Sequence, residues 1–363
     1  MQSTFPALRP FQREALEAFH HHAHTVLIAP TGSGKSLVFQ KYLYDTRAFS
    51  RAILVAPLNA LARQLAEGFK QKGLTVRIGA GVGSDSPPAS SGIWIVSPEK
   101  LIGSGLNLAK AWKPNCLVVD EAHCIWEWGE RFRPEFAKIP GLVAELRIPK
   151  TFWCSATLPK EAFQKIAKEL PSDLKKIGKF SLPASLKIER IRVPSHLKLN
   201  CLRNRLEHCP GESGMIFVST RNAAERLNAI LRAWGFESVF YHAGMSFEER
   251  FGLESKLANH PETRPIWVIA TSAFGMGMDF PFLKNCIVFD PSFTLLSLAQ
   301  AVGRVGRSGA LASASVYWHE NDFISLSTRM SDEDQLRRLK EVSTWSASEE
   351  CPRLSLENYF NGG

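Results

Sequence analysis

Two sets of short apolar runs, separated by helix-length spacers, restrict this chain more than any other feature. The first set reads "TVLIAP", "AILVAP", "IWIVSP", "CLVVD" and "FWCSAT"; the second reads "GMIFVST", "SVFYHAG", "IWVIAT", "CIVFD" and "ASVYW". None alternates apolar with polar residues, so each must be covered on both faces. That is the signature of buried parallel strands joined by crossover helices. The spacers "NALARQLAEGFKQKG" and "RNAAERLNAILRAWG" carry the helical period, and Gly73 and Gly235 fall where C-terminal caps belong. The expectation is an α/β chain with two tandem parallel-sheet lobes and a short helical C-terminal tail. The first lobe is expected over 1–182, the second over 183–320 and the tail over 321–363.

At 363 residues the chain has room for two such cores. Its charge is uneven. Residues 1–182 hold 24 of the 44 Lys+Arg and 15 of the 35 Asp+Glu, a net +9, whereas 183–363 balances at 20 of each. A basic excess confined to one half suggests a polyanion-facing surface, though a generally basic soluble surface explains the charge equally well. No apolar run approaches a membrane span and the first residues lack a signal-peptide layout, so a cytoplasmic protein with no membrane partner is expected. The seven cysteines are odd in number and form no CxxC pair, which argues against a disulfide framework. Cys116 and Cys154 sit within apolar runs and read as small core residues. "HHHAH" (20–24) reads as a solvated loop between a helix and a strand.

"APTGSGKS" (29–36) follows a strand and precedes a helix. In that setting the backbone of Thr31, Gly32, Ser33 and Gly34 can wrap phosphate oxygens. Lys35 would reach the β and γ phosphates, and Ser36 would hold Mg²⁺. Asp120 and Glu121 end the run "CLVVD". Beside a phosphate loop, Asp120 would bind Mg²⁺ and Glu121 would orient and deprotonate the attacking water. "QAVGRVGRSG" supplies Arg304 and Arg307 at a spacing that places both on one helical face. Coming from the second set of strands, they could stabilise a γ-phosphate only across an interlobe cleft.

Taken together and in order, "LRPFQ", "APTGSGKS", "APLNALARQ", "VSPEKL", "DEAHCIWEWGERFRPEF", "SATLP", "FVSTR", "YHAGMS", "ATSAFGMGMDFP" and "QAVGRVGR" resemble the superfamily 2 helicases, specifically the RecQ family of DNA helicases. The resemblance covers nearly all of 5–320. It implies two RecA-like lobes and an ATPase requiring Mg²⁺, stimulated by single-stranded DNA and moving 3′ to 5′, in DNA repair or recombination. It also implies that Arg9 and Gln12 read the adenine edge. His123 would couple the ATP site to DNA, with Ser155 and Thr157 as the linkage motif. Gln300, Arg304 and Arg307 would complete the ATP site, and Gly277 and Asp279 would contact nucleotide and DNA. Strand-backbone contacts are implied at Pro57, Ser97, Thr220, Arg221, His242 and Thr271.

The stretch after the DEAH residues corresponds to the family's aromatic-rich loop, which senses single-stranded DNA. Trp128, Phe132 and Arg133 match its stacking and basic positions, and an aromatic stacked on a base contributes roughly 1–3 kcal/mol. Trp126 and Phe136 are as well explained by core packing. The chain departs from the family at Glu130-Arg131, where a His-Asp pair is usual, and at Trp126, where a small polar residue is usual. "CPRLSLENYFNGG" resembles the opening of the family's zinc-binding subdomain, with Cys351, Arg353, Tyr359 and Phe360 in register. Cys351 alone cannot ligate zinc, so none is expected. The expected partners are single-stranded and partly duplex DNA, with a protein partner able to supply the family's accessory domains, and a monomer is expected. Two other readings stay open: an RNA-dependent ATPase or helicase of the same superfamily, and a nucleotide-switched DNA-binding module without processive unwinding.

Overall fold

The computed structural model describes residues 5–57, 59–79, 86–127, 134–170, 173–271, 280–307, 309–328, 330 and 332–362. The chain divides into two compact units. One comprises Met1–Ser181 with Phe360–Gly363, the other Leu182–Tyr359.

Among the described residues the first unit holds a seven-stranded sheet of β1 (His24–Ile28), β2 (Arg51–Val55), β3 (Val76–Gly79), β4 (Gly92–Val96), β5 (Cys116–Val119), β6 (Lys150–Ser155) and β7 (Leu174–Ile177). The order is β3-β4-β2-β5-β6-β1-β7, every pair parallel. Alternate residues on one face (Leu27, Ala52, Leu54, Ile93, Ile95, Val118, Phe152, Cys154) join Phe19, Phe39, Leu43, Leu65 and Phe69 in one core. The residues between them, such as Val26, Ile53, Trp94, Leu117 and Trp153, are buried too. Burial on both faces is why these runs read as continuously apolar.

The second unit repeats the plan with β8 (Leu186–Arg192), β9 (Ser213–Phe217), β10 (Ser238–Tyr241), β11 (Trp267–Ala270), β12 (Leu283–Val288) and β13 (Ala312–Trp318), ordered β10-β11-β9-β12-β13-β8. Its pairs are also all parallel. Ile216, Ile269, Ile287 and Tyr317 pack against Leu202, Ala224, Leu227 and Leu231 of the covering helices. All ten runs picked out in the sequence contain strands.

Three strands escaped that reading: β3, β7 and β8, each at a sheet edge and each partly exposed. Their lysines and arginines break the apolar run, and charge on an edge strand discourages pairing with other chains. The histidine stretch is not a solvated loop. His20 and His21 close α1 (Pro10–His21), and His24 opens β1, buried with Nδ1 2.9 Å from Thr151 Oγ1. His22 pairs with Asp173 at 2.5 Å. The polar composition concealed a direct helix-to-strand junction.

The last described segment is a helix, Pro352–Asn361. Arg353 at its start donates to the carbonyls of Leu182, Pro183 and Leu186, the middle one at 2.8 Å. Tyr359 donates to Glu341 at 2.8 Å. No helix among the described residues is long and apolar enough to cross a membrane.

Candidate active site

The first unit concentrates its chemistry at the carboxyl ends of three adjoining strands, β5, β6 and β1. The register pairs Val119 with Trp153 and Ile28 with Ser155, so Asp120 and Ala29 leave the sheet on either side of the Cys154-Ser155 end of β6. Open parallel sheets bind ligands at this edge.

Ala29 begins the loop into α2 (Lys35–Asp45). Gly32 and Gly34 adopt φ of +75° and +85°, a region that excludes most side chains. A Cβ at Gly34 would also lie 2.6 Å from Gln12 Nε2. Gln12, buried on α1, donates to the carbonyls of Ser33 (3.1 Å) and Gly34 (3.0 Å), while Arg9 N–H donates to its Oε1 (2.8 Å). The side chain assigned to an adenine edge thus braces the phosphate loop. Lys35 is buried and donates to the Pro30 carbonyl at 3.2 Å. Ser36 follows it, half-buried, on the first turn of α2.

Asp120, Glu121 and His123 are all buried. Glu121 takes a left-handed backbone, φ +52°, which turns its N–H back onto Asp120 Oδ1 at 3.0 Å. A positive φ at a non-glycine residue is strained and recurs at functional sites. Burial, then the neighbouring Glu121 carboxylate, push Asp120 up to about 6, with Lys35 pulling the other way. His123 Nδ1 lies 2.9 Å from Ser155 Oγ and 3.3 Å from Glu121 Oε2. Ser155 sends its own proton to the Thr157 carbonyl at 2.6 Å and accepts from Thr157 N–H at 3.2 Å. Ser155 Oγ is therefore an acceptor toward His123, and Nδ1 carries the proton. Burial works to lower the basicity of His123, but Cys124 and Glu121 beside the ring outweigh it and hold the imidazole well above its usual pKa.

These residues fit a magnesium nucleotide. Ser33 Oγ is buried without a hydrogen-bond partner among the described residues, in a loop whose glycines leave room for phosphate. Ser36 and Asp120 offer the hard oxygen ligands that Mg²⁺ prefers.

Of the residues assigned to nucleic acid, Pro57 and Ser97 follow the neighbouring strands β2 and β4, and Ser97 caps the helix Pro98–Ile102. In the second unit His242 and Thr271 directly follow the adjoining strands β10 and β11, and Thr220 comes three residues after β9. Thr220 caps the helix opened by Arg221, whose side chain crowds Gly244. His242 is buried, with Nε2 2.9 Å from Glu225 Oε1. Both sets occupy the carboxyl edges of their own sheets.

Gln300 and Arg304 line one depression with Ser219, Asp290 and Phe293. Arg304 and Arg307 do not share a helical face, because the helix Leu295–Val302 ends before either. Gly303 sits at its C-cap, and Gly306, between the two arginines, turns at φ +77°, so the stretch carrying both is not helical. Arg307 Nε donates back to the Gly303 carbonyl at 3.0 Å. Trp128, Phe132, Arg133, Gly277 and Asp279 lie outside the described residues. Phe136 is fully buried and Trp126 half-buried.

Comparison with known proteins agrees with this geometry. Residues 9–166 match the DEAD/DEAH box helicase family and residues 197–309 match the helicase conserved C-terminal domain. The first match falls on the unit with the seven-stranded sheet and the second on the unit with the six-stranded sheet. Proteins named ATP-dependent DNA helicase RecQ from Haemophilus influenzae and Pasteurella multocida are 26% and 28% identical over 98% of this chain. The chain is similar to these RecQ helicases along nearly its whole length, and it spans 59% and 58% of the length of those two relatives. The same fold recurs in Saccharomyces cerevisiae Dbp5 bound to RNA and ADP BeF3 (TM-score 0.71, 19% identity, 95% of this chain and 89% of that one). It recurs also in Mycobacterium smegmatis helicase Lhr bound to single-stranded DNA and AMP-PNP (TM-score 0.64, 21% identity, 93% and 48%).

Proposed function

We propose that this protein is an ATP-driven DNA translocase and helicase whose hydrolysis is stimulated by single-stranded DNA. The observation that carries the reading is the convergence of Lys35, Asp120, Glu121, His123 and Ser155 on one sheet edge, the last four joined by polar contacts. Lys35 would hold the β and γ phosphates, and Ser36 with Asp120 would hold the metal. Magnesium, bound with the nucleotide, supplies a counter-charge to those phosphates. Glu121 would orient the attacking water and take its proton. Gln300, Arg304 and Arg307 are assigned the charge that develops on the transferred phosphoryl group. Asp279, Arg9 and Gln12 retain their nucleotide assignments, with Gln12 acting through the loop it braces.

The His123–Ser155–Thr157 chain supports coupling of hydrolysis to the segment beyond β6. It also links Glu121, through His123, to a second strand end. Movement 3′ to 5′ and a place in DNA repair or recombination rest on the resemblance to RecQ helicases.

Steady-state ATPase with single-stranded DNA, duplex DNA and RNA side by side tests the reading. Single-stranded DNA should stimulate most. Equal or greater stimulation by RNA would favour an RNA-dependent motor, a possibility kept alive by the fold shared with RNA-bound Dbp5. Tight DNA binding that responds to nucleotide, without stimulated turnover, would instead mark a switched binding module.

Trp128→Ala probes the sensing loop. The ratio of DNA-stimulated to DNA-free ATPase should fall at least about fivefold, in line with roughly 1–3 kcal/mol for one stacked base. DNA affinity should fall less, since phosphate contacts supply most of it. If melting drops sharply instead, Trp128 is a packing residue, because truncating a buried Trp costs about 3–5 kcal/mol.

A further inference from the structure

We propose that Cys154 is a positioning residue for Asp120, its thiol fixing one carboxylate oxygen so that the other is left for the metal. The inference rests on the ATP-hydrolysis reading above.

Cys154 is the penultimate residue of β6, 1% exposed, and its Sγ lies 3.2 Å from Asp120 Oδ1. Glu121 N–H donates to the same oxygen at 3.0 Å. Two donors on one oxygen stop the carboxylate from rotating about its Cβ–Cγ bond, and Oδ2 receives neither. A carboxylate oxygen accepts and a thiol can donate, so in this buried contact the proton is carried by Sγ.

The arrangement belongs to a larger brace. The Cys154 carbonyl accepts from Ala122 N–H at 2.9 Å, and the Ser155 carbonyl accepts from Ala29 N–H at 3.2 Å. Successive side chains on a strand point to opposite faces. Cys154 reaches Asp120 on one face while Ser155 reaches His123 on the other. The end of β6 thus orders two residues of the acidic motif through adjacent side chains, and it pins the start of the phosphate loop through its backbone. A cysteine acting only as apolar filler has no need to aim its proton at a carboxylate.

S–H is a weak donor, so the expected effect is moderate and should follow the donor rather than the volume. In the full chain, Cys154→Ala removes the donor and Cys154→Ser restores one. At fixed ATP and single-stranded DNA, the Mg²⁺ concentration giving half-maximal ATPase should rise about fivefold in Cys154→Ala, the size of an ordinary hydrogen bond and below that of a strong donor on a charged group. Cys154→Ser should return within about twofold of the parent protein. A Cys154→Ala protein with the parent's Mg²⁺ dependence overturns the inference while leaving the ATPase reading intact. Equal shifts in both variants, with lowered melting temperatures, also overturn it, since they mark a packing role. A parent protein that shows no Mg²⁺-dependent turnover overturns the ATPase reading and this inference with it.

Discussion

Lys35→Ala is expected to lower ATP turnover by about 10²–10³-fold or more, the loss typical when a preorganised donor to developing charge is removed. The fold should survive. Lys35 is buried at the start of α2, but its ammonium donates to the Pro30 carbonyl rather than bracing the core. The loop has its own supports, chiefly the two hydrogen bonds from Gln12. Nucleotide affinity should fall together with turnover. Glu121→Gln separates the two effects: glutamine keeps the size and the left-handed turn but cannot take a proton, so nucleotide should still bind while turnover is lost. Circular dichroism and a thermal melt establish folding, and single-turnover hydrolysis measures chemistry. Near-normal rates in either folded variant would show that the site has been misassigned.

Asp120→Asn should also abolish turnover, yet it should make the nucleotide-free protein more stable at neutral pH. Asp120 titrates at about 6 in the fold against 3.8 for the ordinary side chain. Burial is the main cause, followed by the Glu121 carboxylate. Because the folded state binds this proton more tightly, its stabilising effect is complete below about pH 4 and is lost as pH rises to about 6. Above that, the buried charge is a cost that a neutral side chain does not carry. Asparagine has no charge and still accepts from Glu121 N–H and Cys154 S–H. Melts of parent and variant should therefore differ by several degrees at pH 7.5, the variant being higher, and converge near pH 4.5. A variant that melts lower at pH 7.5 would contradict this account.

The glycine turn before α2 and the place of Asp120-Glu121 at a strand end were legible because each follows from local chain chemistry. Glycines permit a left-handed turn, and a carboxylate at the end of an apolar run must emerge at a strand's carboxyl end. The ten strands had the same transparency, since burial on both faces leaves an unbroken apolar record. Edge strands β3, β7 and β8 left none, because exposure admits lysine and arginine into the pattern. His24 misled for a related reason: composition suggested solvent, but its ring is buried beside Thr151, a residue 127 positions away.

The arginine pair and Cys154 show the limit from the other side. Spacing of three suggests one helical face, yet the helix ends at Val302 and Gly306 turns the chain between the two arginines. Cys154 read as core filler because its apolar neighbours said so. That its proton meets Asp120 depends on β5 and β6 lying side by side in register, and sequence separation hides that adjacency. The sequence by itself determined which residues could bind phosphate and metal, and that two parallel sheets would carry them. Only the tertiary structure decided which neighbours hold those residues still: Gln12 on the loop, Cys154 on Asp120, Ser155 on His123. The physical reason is that a residue's capacity for chemistry is local, whereas the hydrogen bonds that aim it come from strands and helices far away in the chain.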